Sequence, residues 1–311
     1  MTQPPTDDGA ARDQSPRSRQ VTEVVIVSSP KAGTGAGREQ VPALIKNLVD
    51  QGIRALSTTS IDEMKRHVAS AASEGREPPV IVAAGGDGTL ALVADNVSQN
   101  VPLVPMPMGT ENLLARYFGH TNQADDVART IVHGSSYFLD AGRANGQLFL
   151  VMASCGFDAE VVRGLHLTRS GHINRWSYAG PIMRAVRRYA FPKLSVSIEE
   201  ASDKNFDCGW VMVFNLPRYG GGLSIEPDAI GNDGELDVIA FLKGSVLSGI
   251  SYVSRVALGW HLKSADVSRL KAKTITITSD RPVPYQLDGD YVGRLPLKIE
   301  TLPAEVHLLI P

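Results

Sequence analysis

The stretch Pro79–Thr89, PVIVAAGGDGT, decides the fold of this chain. Its first part, Pro79–Ala84, is an apolar run of the length of a buried strand, and its second part, Gly85–Thr89, is a glycine-rich turn. The residues that follow, Leu90–Gln99 (LALVADNVSQ), favour a helix that starts near Thr89. A strand, a glycine-rich turn and a helix in this order predict a βαβ unit on a parallel sheet.

The same alternation of strand and helix continues on both sides of this stretch. Ser60 is a predicted N-cap because Glu63 follows three residues later, as in a capping box. The predicted elements are strand Val21–Ser29, helix Val41–Gly52, strand Ala55–Thr59, a helix from Ser60 to about Glu74, and strand Pro102–Pro105. This half of the chain is therefore predicted to be a Rossmann-like domain with a parallel sheet.

After about Asp140 the pattern changes to short β-rich segments separated by turn residues, which favours an antiparallel domain. Two helical patches, Asn174–Tyr189 and Ser245–Trp260, interrupt it. The predicted strands are Gln147–Ser154, Lys193–Glu199, Gly209–Asn215, Glu235–Leu242, Thr274–Ser279 and Leu297–Leu302. The predicted fold class is α/β, with an N-terminal Rossmann-like parallel-sheet nucleotide domain and a C-terminal antiparallel, β-rich, sandwich-like domain.

The domain boundaries follow from these changes in pattern. We expect a disordered tail over 1–20, a nucleotide domain over 21–140, with 302–311 as a candidate for completing it, and a β-rich domain over 141–301. A length of 311 residues suits about two domains of roughly 100–200 residues each.

Composition excludes several classes of function. The net charge is −2, with 31 Lys and Arg against 33 Asp and Glu, so global electrostatics does not favour nucleic acid as a partner. No apolar run reaches the about 20 residues of a membrane span, and residues 1–20 lack the apolar core of a secretory signal. We therefore expect a cytoplasmic location.

Three glycine-rich elements follow predicted parallel strands, at the sheet edge where open α/β sheets bind ligands. They are Ser28–Gly35, Gly85–Thr89 and Pro107–Gly119. Backbone N–H groups in such turns, together with a helix N-terminus, favour an anion. Asp87 adds a carboxylate among these amides, which suits orientation of Mg²⁺ or of a substrate hydroxyl; the alternative is an Asp-Gly turn in which Asp87 caps the helix.

Taken together, the motifs resemble those of the diacylglycerol kinase catalytic family. GGDGT (Gly85–Thr89) is followed about twenty residues later by a Pro-x-Gly-Thr-x-Asn segment, as in that family. Four further stretches are similar to family motifs in the same order: Ser29–Gly33, with Ser29 in place of Asn, Cys155–Ala159, Asn232–Asp237 and Gln286–Asp290. The resemblance implies ATP as phosphate donor and a lipid hydroxyl as acceptor.

The resemblance also implies site residues. The implied base is Asp290 with Asp288 adjacent, or Asp87 as in the sphingosine kinase branch, and alternation along a strand would put Asp288 and Asp290 on one side. A structural Mg²⁺ would lie at Asp233 and at main-chain oxygens near Ile230 and Glu235. The implied nucleotide contacts are Ser29, Thr58 (with Thr59 as runner-up), Gly85, Gly86, Asp87, Gly88, Thr89, Gly109 and Thr110.

Two positions depart from the family pattern. Leu113 follows Asn112 where the family usually has Asp, which puts acceptor positioning in doubt. Asp290 stands where many members have Glu, one methylene longer.

The stretch Val161–Lys193 concentrates positive charge and contains no Asp or Glu. Basic residues interleaved with aromatics favour peripheral binding to an anionic membrane; the alternative is a solvated helix face. Its basic residues are Arg163, Arg169, Arg175, Arg184, Arg187, Arg188 and Lys193, and its aromatic residues include Trp176, Tyr178, Tyr189 and Phe191.

The sequence thus predicts an ATP- and Mg²⁺-dependent lipid kinase that acts on a diacylglycerol- or sphingoid-like lipid at a membrane surface. Two alternatives stay open. One is an NAD kinase, which shares the Gly-Gly-Asp-Gly motif, and the other is a catalytically silent lipid-binding protein, which Leu113 favours. A homodimer is also left open.

Overall fold

A computed structural model describes residues 20–29, 36–168, 189–201, 203, 205–220 and 223–311 of the chain. The chain divides into two compact units, with a boundary between Leu139 and Asp140. The last residues, Glu305–Pro311, belong to the first unit, and the second unit spans Asp140–Ala304. Residues 1–19 of the predicted tail, residues 30–35 of the predicted glycine-rich element and residues 174–188 of the predicted helical stretch lie outside the described residues.

The first unit is built on a parallel sheet with strand order β2-β1-β3-β4, flanked on the β4 side by the end of β16, where Leu308 pairs in parallel with Leu103. Its elements are β1 (Glu23–Ser28), α1 (Ala36–Asp50), β2 (Arg54–Thr58), α2 (Ile61–Ser73), β3 (Val80–Gly85), α3 (Asp87–Ala94), β4 (Leu103–Pro107), α4 (Leu113–Tyr117), α5 (Ala124–His133) and β5 (Ser135–Ala144), which crosses the boundary.

The apolar strands of this unit form its core, because a parallel strand covered on both faces is apolar throughout. Val24, Ile26 and Val82 from the sheet lie in one buried cluster with Leu44 and Leu48 of α1. The predicted cap of α2 is confirmed: the Ser60 side chain accepts a hydrogen bond from the backbone N–H of Glu63 at 3.3 Å.

Two helix starts differ from the prediction. The helix after the glycine-rich turn begins at Asp87, not near Thr89, with Gly86 as its N-cap. Gly86 provides no side chain for capping, so the sequence carries no N-cap signal at this position. Helix α1 begins at Ala36, ahead of the periodic apolar residues that predicted a start at Val41.

The second unit contains two antiparallel sets of strands. Its elements are β6 (Gln147–Phe149), β7 (Met152–Cys155), α6 (Phe157–Thr168), β8 (Leu194–Ile198), β9 (Phe206–Cys208), β10 (Trp210–Phe214), β11 (Leu236–Phe241), α7 (Val246–Ala257), a 3₁₀ turn (His261–Lys263), β12 (Val267–Ala272), β13 (Thr274–Thr278), β14 (Pro284–Leu287), β15 (Asp290–Arg294) and β16 (Leu297–Ile310), which crosses into the first unit.

One set of strands follows the order β12-β11-β10-β7-β14-β15, and the other places β13 between the first part of β16 and β8, with β9 next to β8. Alternate residues of the two sets meet in a single buried cluster, which includes Val211 and Val238 from the first set and Ile275, Ile277 and Ile299 from the second. Two faces that share one core in this way form a β-sandwich. The predicted α/β fold class with its parallel-sheet and antiparallel β-rich parts is confirmed.

Among the described residues, no helix is both long enough and apolar enough to cross a membrane.

His120 is a buried histidine next to the short helix α4. Its backbone N–H donates to the carbonyl of Ala115 at 2.8 Å, while its side-chain Nε2 has no hydrogen-bond partner among the described residues. Burial penalises the charged imidazolium and lowers the pKa of His120 from 6.5 to about 4.

We expect His120 to make the protein less stable as the pH falls from 6.5 toward 4. In that window the unfolded chain binds a proton at this residue and the folded chain does not, so unfolding is favoured. Urea unfolding of His120→Leu should show a weaker pH dependence than the wild type, by up to about 3 kcal/mol across the window. The control for the loss of a histidine side chain is His133→Gln, at an exposed position. Equal slopes for His120→Leu and the wild type would contradict this assignment.

Candidate active site

The candidate site in the first unit lies at the carboxyl ends of β3 and β4, which are neighbours in the sheet. Gly85 ends β3 and pairs with Pro107, which ends β4. The N–H of Met108 donates to the carbonyl of Gly85 at 2.8 Å, so the two loops leave the sheet side by side. The motifs around Asp87 and Thr110 are separate in the sequence, but both begin at these adjacent strand ends.

The two loops approach each other at a pair of glycines. A Cβ atom built on Gly109 would lie 2.7 Å from the Cα of Gly86, closer than real Cβ atoms come to backbone. A side chain at Gly109 would therefore force the two loops apart. At Gly85 a Cβ atom would overlap the side chain of Thr89, at 2.3 Å from its Oγ1. The glycines of both motifs thus permit close backbone packing.

Asp87 connects the two loops through its carboxylate. The N–H of Leu113 donates to one carboxylate oxygen at 2.9 Å, and the N–H of Leu114 donates to the other at 3.2 Å. Asp87 therefore caps α4, which belongs to the other motif, while it also stands in the first turn of its own helix α3. Burial raises the pKa of Asp87, and the two amide hydrogen bonds oppose that rise.

Asn112 fixes the turn before α4. Its backbone is left-handed, with φ of 49°, a conformation that Asn tolerates better than most residues. Its side chain accepts a hydrogen bond from the N–H of Gly109 and donates one to the carbonyl of Gly109, each at 2.9 Å. Sequence reasoning gave this residue no role of its own, although an Asn three residues after a glycine in a turn is a signal for such a bond.

The remaining predicted nucleotide contacts differ in accessibility. Gly88, Gly109 and Thr110 are exposed at this edge, and Thr89 is half-buried. Thr58 is buried, and its hydroxyl donates to the Glu63 carboxylate and accepts from the N–H of Ser60 at 3.0 Å.

Thr58 thus supports the start of α2, whereas Thr59, the runner-up, is exposed. Ser29 follows β1, and its N–H donates to the carbonyl of Ala84 at 3.2 Å.

In the second unit, Asp288 and Asp290 occupy different positions in a hairpin. Leu287 pairs with Asp290, so Asp288 and Gly289 form the two-residue turn between β14 and β15. Both have positive φ, 48° and 88°, as a type I′ turn requires. The strand-alternation argument for these two residues is wrong, because a turn separates them.

The carboxylate of Asp288 accepts hydrogen bonds from three consecutive backbone N–H groups. Those of Leu150, Val151 and Met152 reach it at 2.8, 2.9 and 2.9 Å. The N–H of Asp288 donates in turn to the carbonyl of Met152 at 2.9 Å. Asp288 is thereby tied to the neighbouring chain segment.

Asp290 is exposed at the start of β15. Among the described residues, its carboxylate has no hydrogen-bond or ion-pair partner. Of the two acids, Asp290 is therefore the one whose carboxylate is open to solvent.

A buried polar network supports the same hairpin. The side-chain oxygen of Gln286 accepts the N–H of Gly289 at 2.7 Å, and its nitrogen donates to Ser154 Oγ at 3.0 Å and to Asp158 at 3.3 Å. Asp158 also accepts from the hydroxyls of Ser154 and Tyr219. Burial raises the pKa of Asp158, and these donors oppose the rise. Gln286 belongs to a predicted motif, but its role in this network has no local sequence signal, because its partners Ser154 and Asp158 are far away along the chain.

The predicted metal site holds a side-chain cation. The Nζ of Lys271 lies 2.5 Å from one carboxylate oxygen of Asp233 and 3.2 Å from Asp237. The other oxygen of Asp233 accepts the N–H of Glu235 at 3.1 Å. Burial lowers the pKa of Lys271, but its hydrogen bonds and charge interactions with the two aspartates outweigh burial and raise it.

In this arrangement the ammonium of Lys271 and a metal ion are alternatives at the carboxylate of Asp233. Mg²⁺ sits about 2.1 Å from a ligand oxygen, so it would compete with the ammonium of Lys271 for the one carboxylate of Asp233. No group of three or more His, Cys, Asp or Glu side chains that could hold a metal occurs within the described part of the chain. The turn is otherwise fixed by Asp140, whose buried carboxylate accepts the N–H groups of Gly234 at 2.6 Å and Ala304 at 2.7 Å.

Comparison with known proteins agrees with the sequence motifs. Residues 23–144 match the diacylglycerol kinase catalytic domain, and residues 151–310 match the YegS C-terminal NAD kinase beta sandwich-like domain. The chain therefore belongs to the diacylglycerol kinase catalytic family. The resemblance predicted from the motifs is confirmed.

Several curated relatives cover nearly the whole chain. A diacylglycerol kinase of Mycobacterium tuberculosis (strain ATCC 25618 / H37Rv) is 26% identical over 302 residues, which is 95% of this chain and 97% of that protein. One from Bacillus subtilis (strain 168) is 25% identical and covers 92% of this chain and 95% of its own length. The crystal structure of a diacylglycerol kinase from Bacillus anthracis str. Sterne has a TM-score of 0.69 at 22% identity, covering 94% of this chain and 98% of its own, and shows the same fold. The family implies a kinase that uses a nucleotide and usually a divalent metal.

We expect Lys271 to make the Asp233 turn independent of Mg²⁺. Millimolar MgCl₂ should leave the melting temperature of the wild type unchanged. Lys271→Met leaves the carboxylates of Asp233 and Asp237 unpaired, at a cost of about 1–3 kcal/mol, and added MgCl₂ should then raise its melting temperature.

The matched control is Lys298→Met, which removes an exposed lysine that pairs with Glu199 and Glu300. This variant should show no response to Mg²⁺. A wild-type melting temperature that rises with MgCl₂ and falls with EDTA would instead support a metal at Asp233.

Proposed function

We propose that this chain is an ATP- and Mg²⁺-dependent lipid kinase that phosphorylates a hydroxyl of a diacylglycerol- or sphingoid-like lipid. One observation carries the proposal: Asp87 holds the start of α4 while Gly86 packs against Gly109, so the two motifs form one glycine-lined turn pair at the sheet edge. Such a turn presents backbone amides at close range, which suits the phosphates of a nucleotide.

The first unit binds the nucleotide in this proposal. The phosphates lie against Gly85–Thr89 and Thr110, at the N-terminus of α3, and Thr59 rather than the engaged Thr58 supplies the hydroxyl after β2. Mg²⁺, when bound with the nucleotide, neutralises charge on the transferring phosphoryl group. Asp87 uses one lone pair of each oxygen to cap α4, and a carboxylate has further lone pairs available for orienting the metal.

The second unit supplies the base. The lipid hydroxyl oxygen attacks the γ-phosphorus, the bond from that phosphorus to the bridging oxygen breaks, and ADP leaves. The hydroxyl proton passes to the carboxylate of Asp290, which the exposure of this group supports. Asp288 keeps the hairpin in position through its three backbone hydrogen bonds.

Peripheral association with a membrane belongs to this proposal, since a diacylglycerol-like substrate resides in a bilayer. The basic stretch Val161–Lys193 was predicted from the sequence to bind anionic lipid. Its central residues, 169–188, lie outside the described structure. Within the described part, Arg163 pairs with Glu160 and Lys193 with Asp207.

The proposal is tested by transfer of labelled phosphate from ATP to a panel of diacylglycerols, sphingoid bases and NAD. The NAD arm is included because the sandwich domain matches an NAD kinase-like model. Labelled lipid supports the proposal, labelled NAD supports the NAD kinase alternative, and no product in any arm supports a lipid-binding protein without activity.

We expect Asp87→Asn to lose lipid phosphorylation while it stays folded. The amide keeps the shape of the side chain but loses its charge and one of the two acceptors for α4, at a stability cost of about 1 kcal/mol. Turnover and thermal unfolding are measured together, with Asp62→Asn on the exposed surface of α2 as control. Near-normal turnover in Asp87→Asn would remove this carboxylate from the mechanism.

Asp288 and Asp290 should respond differently to the same substitution. Asp290→Asn should lose turnover at saturating ATP and keep the wild-type melting temperature, because its exposed carboxylate has no partner in the part of the chain that the structure describes. Asp288→Asn should lower the melting temperature, because an amide oxygen cannot accept all three backbone hydrogen bonds. An Asp290→Asn enzyme with unchanged turnover and pH dependence would move the base to Asp87.

A further inference from the structure

Helix α7 presents an apolar face to solvent. Leu247 is 80% exposed and Trp260, just after the helix, is 59% exposed. Single exposed apolar residues are normal on a protein surface, but a set within one short segment marks an interaction site. The large exposed apolar residues of this segment are Leu242, Val246, Leu247, Ile250, Leu258 and Trp260, and we call Val246, Leu247, Ile250, Leu258 and Trp260 the α7 face.

The opposite side of the helix fixes this orientation. Gly249, Tyr252 and Val256 are buried, at the spacing of an inward helix face. The ring of Tyr252 packs on Phe241 with centroids 4.8 Å apart, and its hydroxyl accepts the N–H of Lys243 at 3.1 Å. One apolar side of the helix is therefore buried in the protein, and the α7 face is a second apolar side, which is exposed.

The segment that carries the α7 face contains basic residues and no acid. No Asp or Glu occurs from Lys243 through Ala265. Lys243 is paired with Asp266 at 2.9 Å, which neutralises it. Arg255 donates to the hydroxyl of Ser264 at 2.6 Å, so it keeps its charge, and Lys263 is exposed with no ion-pair partner among the described residues.

We infer that the α7 face inserts into the interfacial region of an anionic lipid bilayer. An apolar face with a tryptophan at its end and cationic neighbours is the composition of helices that lie in that region. A helix of 12 residues is about 18 Å long, so it lies on the bilayer and does not span it. The inference rests on the proposed function, because a lipid kinase must reach a substrate that resides in the membrane.

The positive charge favours a bilayer over a second copy of the chain. A symmetric contact between two α7 faces would place Arg255 and Lys263 of both copies at one interface, with no acid from Lys243 through Ala265 to pair with them. Anionic headgroups instead offer the opposite charge next to an apolar layer, which matches both parts of the surface.

Sedimentation with vesicles tests the inference without nucleotide or diacylglycerol. The vesicles contain phosphatidylcholine with or without phosphatidylglycerol. Leu247→Glu combined with Ile250→Glu should weaken partition into mixed vesicles by about tenfold or more. The matched control is Val49→Glu, since Val49 is 55% exposed on α1 in the other unit and its replacement should leave partition unchanged.

Two further measurements locate the contact. Lys263→Gln should weaken binding to mixed vesicles by about fivefold at low salt, and leave binding to pure phosphatidylcholine unchanged. In a Trp176→Phe background, brominated lipid should quench the fluorescence, and adding Trp260→Phe should remove most of that quenching. Wild-type partition in the double glutamate variant would overturn the inference. So would a wild-type dimer in light scattering that the double variant converts to monomer without any change in partition.

The outcome is separable from that of the proposed function. Turnover on a short-chain diacylglycerol in detergent micelles should be equal in the wild type and in the double glutamate variant. If the wild type binds vesicles through α7 but phosphorylates no lipid, the kinase proposal fails and the membrane surface stands. If the wild type phosphorylates lipid but the double glutamate variant binds vesicles normally, only the inference about the α7 face is overturned.

Discussion

The carboxylate of Asp87 is the interaction on which the candidate nucleotide site depends. Helix α4 spans only Leu113–Tyr117, which is too short to be stable by its own hydrogen bonds. Its first N–H groups have no partner within the helix, and Asp87 accepts two of them from the other loop. The hydrogen bonds that cap α4 thus keep the two loops together. The glycines permit the close approach of the loops that these hydrogen bonds require.

The second unit uses the same physical device. Asp288 accepts three successive N–H groups at Leu150–Met152, and Asp140 accepts one from Gly234 in a turn and one from Ala304 within β16. A carboxylate is well suited to this task because its two oxygens can accept several backbone donors at once. The acidic residues of these motifs therefore fall into two groups. The carboxylates of Asp140 and Asp288 accept backbone hydrogen bonds, whereas the side chain of Asp290 is exposed to solvent.

The sequence predicted the fold well because the fold depends on local pattern. Apolar strands such as Val80–Gly85 and alternating strands such as Leu194–Ile198 each carry their own periodicity. The hydrogen-bond partners of the site acids could not be predicted, because these contacts join residues that are distant in the sequence. Asp87 accepts a hydrogen bond from a residue 26 positions away, and Asp288 accepts one from a residue 138 positions away. Local sequence patterns, which extend over one helix or strand, contain neither pair. The accessibility of Thr58 and Thr59 depended in the same way on burial, and the pairing of Lys271 with Asp237 depended on strand register.

The role of Leu113 changes once these contacts are known. Its side chain departs from the family pattern, and that departure favoured a catalytically silent protein. The structure shows that position 113 contributes its backbone N–H to the Asp87 cap, and a backbone group is the same in Leu and in Asp. The turn pair, the close glycines and the Asn112 clamp on Gly109 are therefore all compatible with Leu113. Replacement of the carboxylate changes the side chain at the start of α4, and it leaves the backbone of the turn pair in place. The departure is thus an argument about the choice of acceptor more than an argument against nucleotide binding.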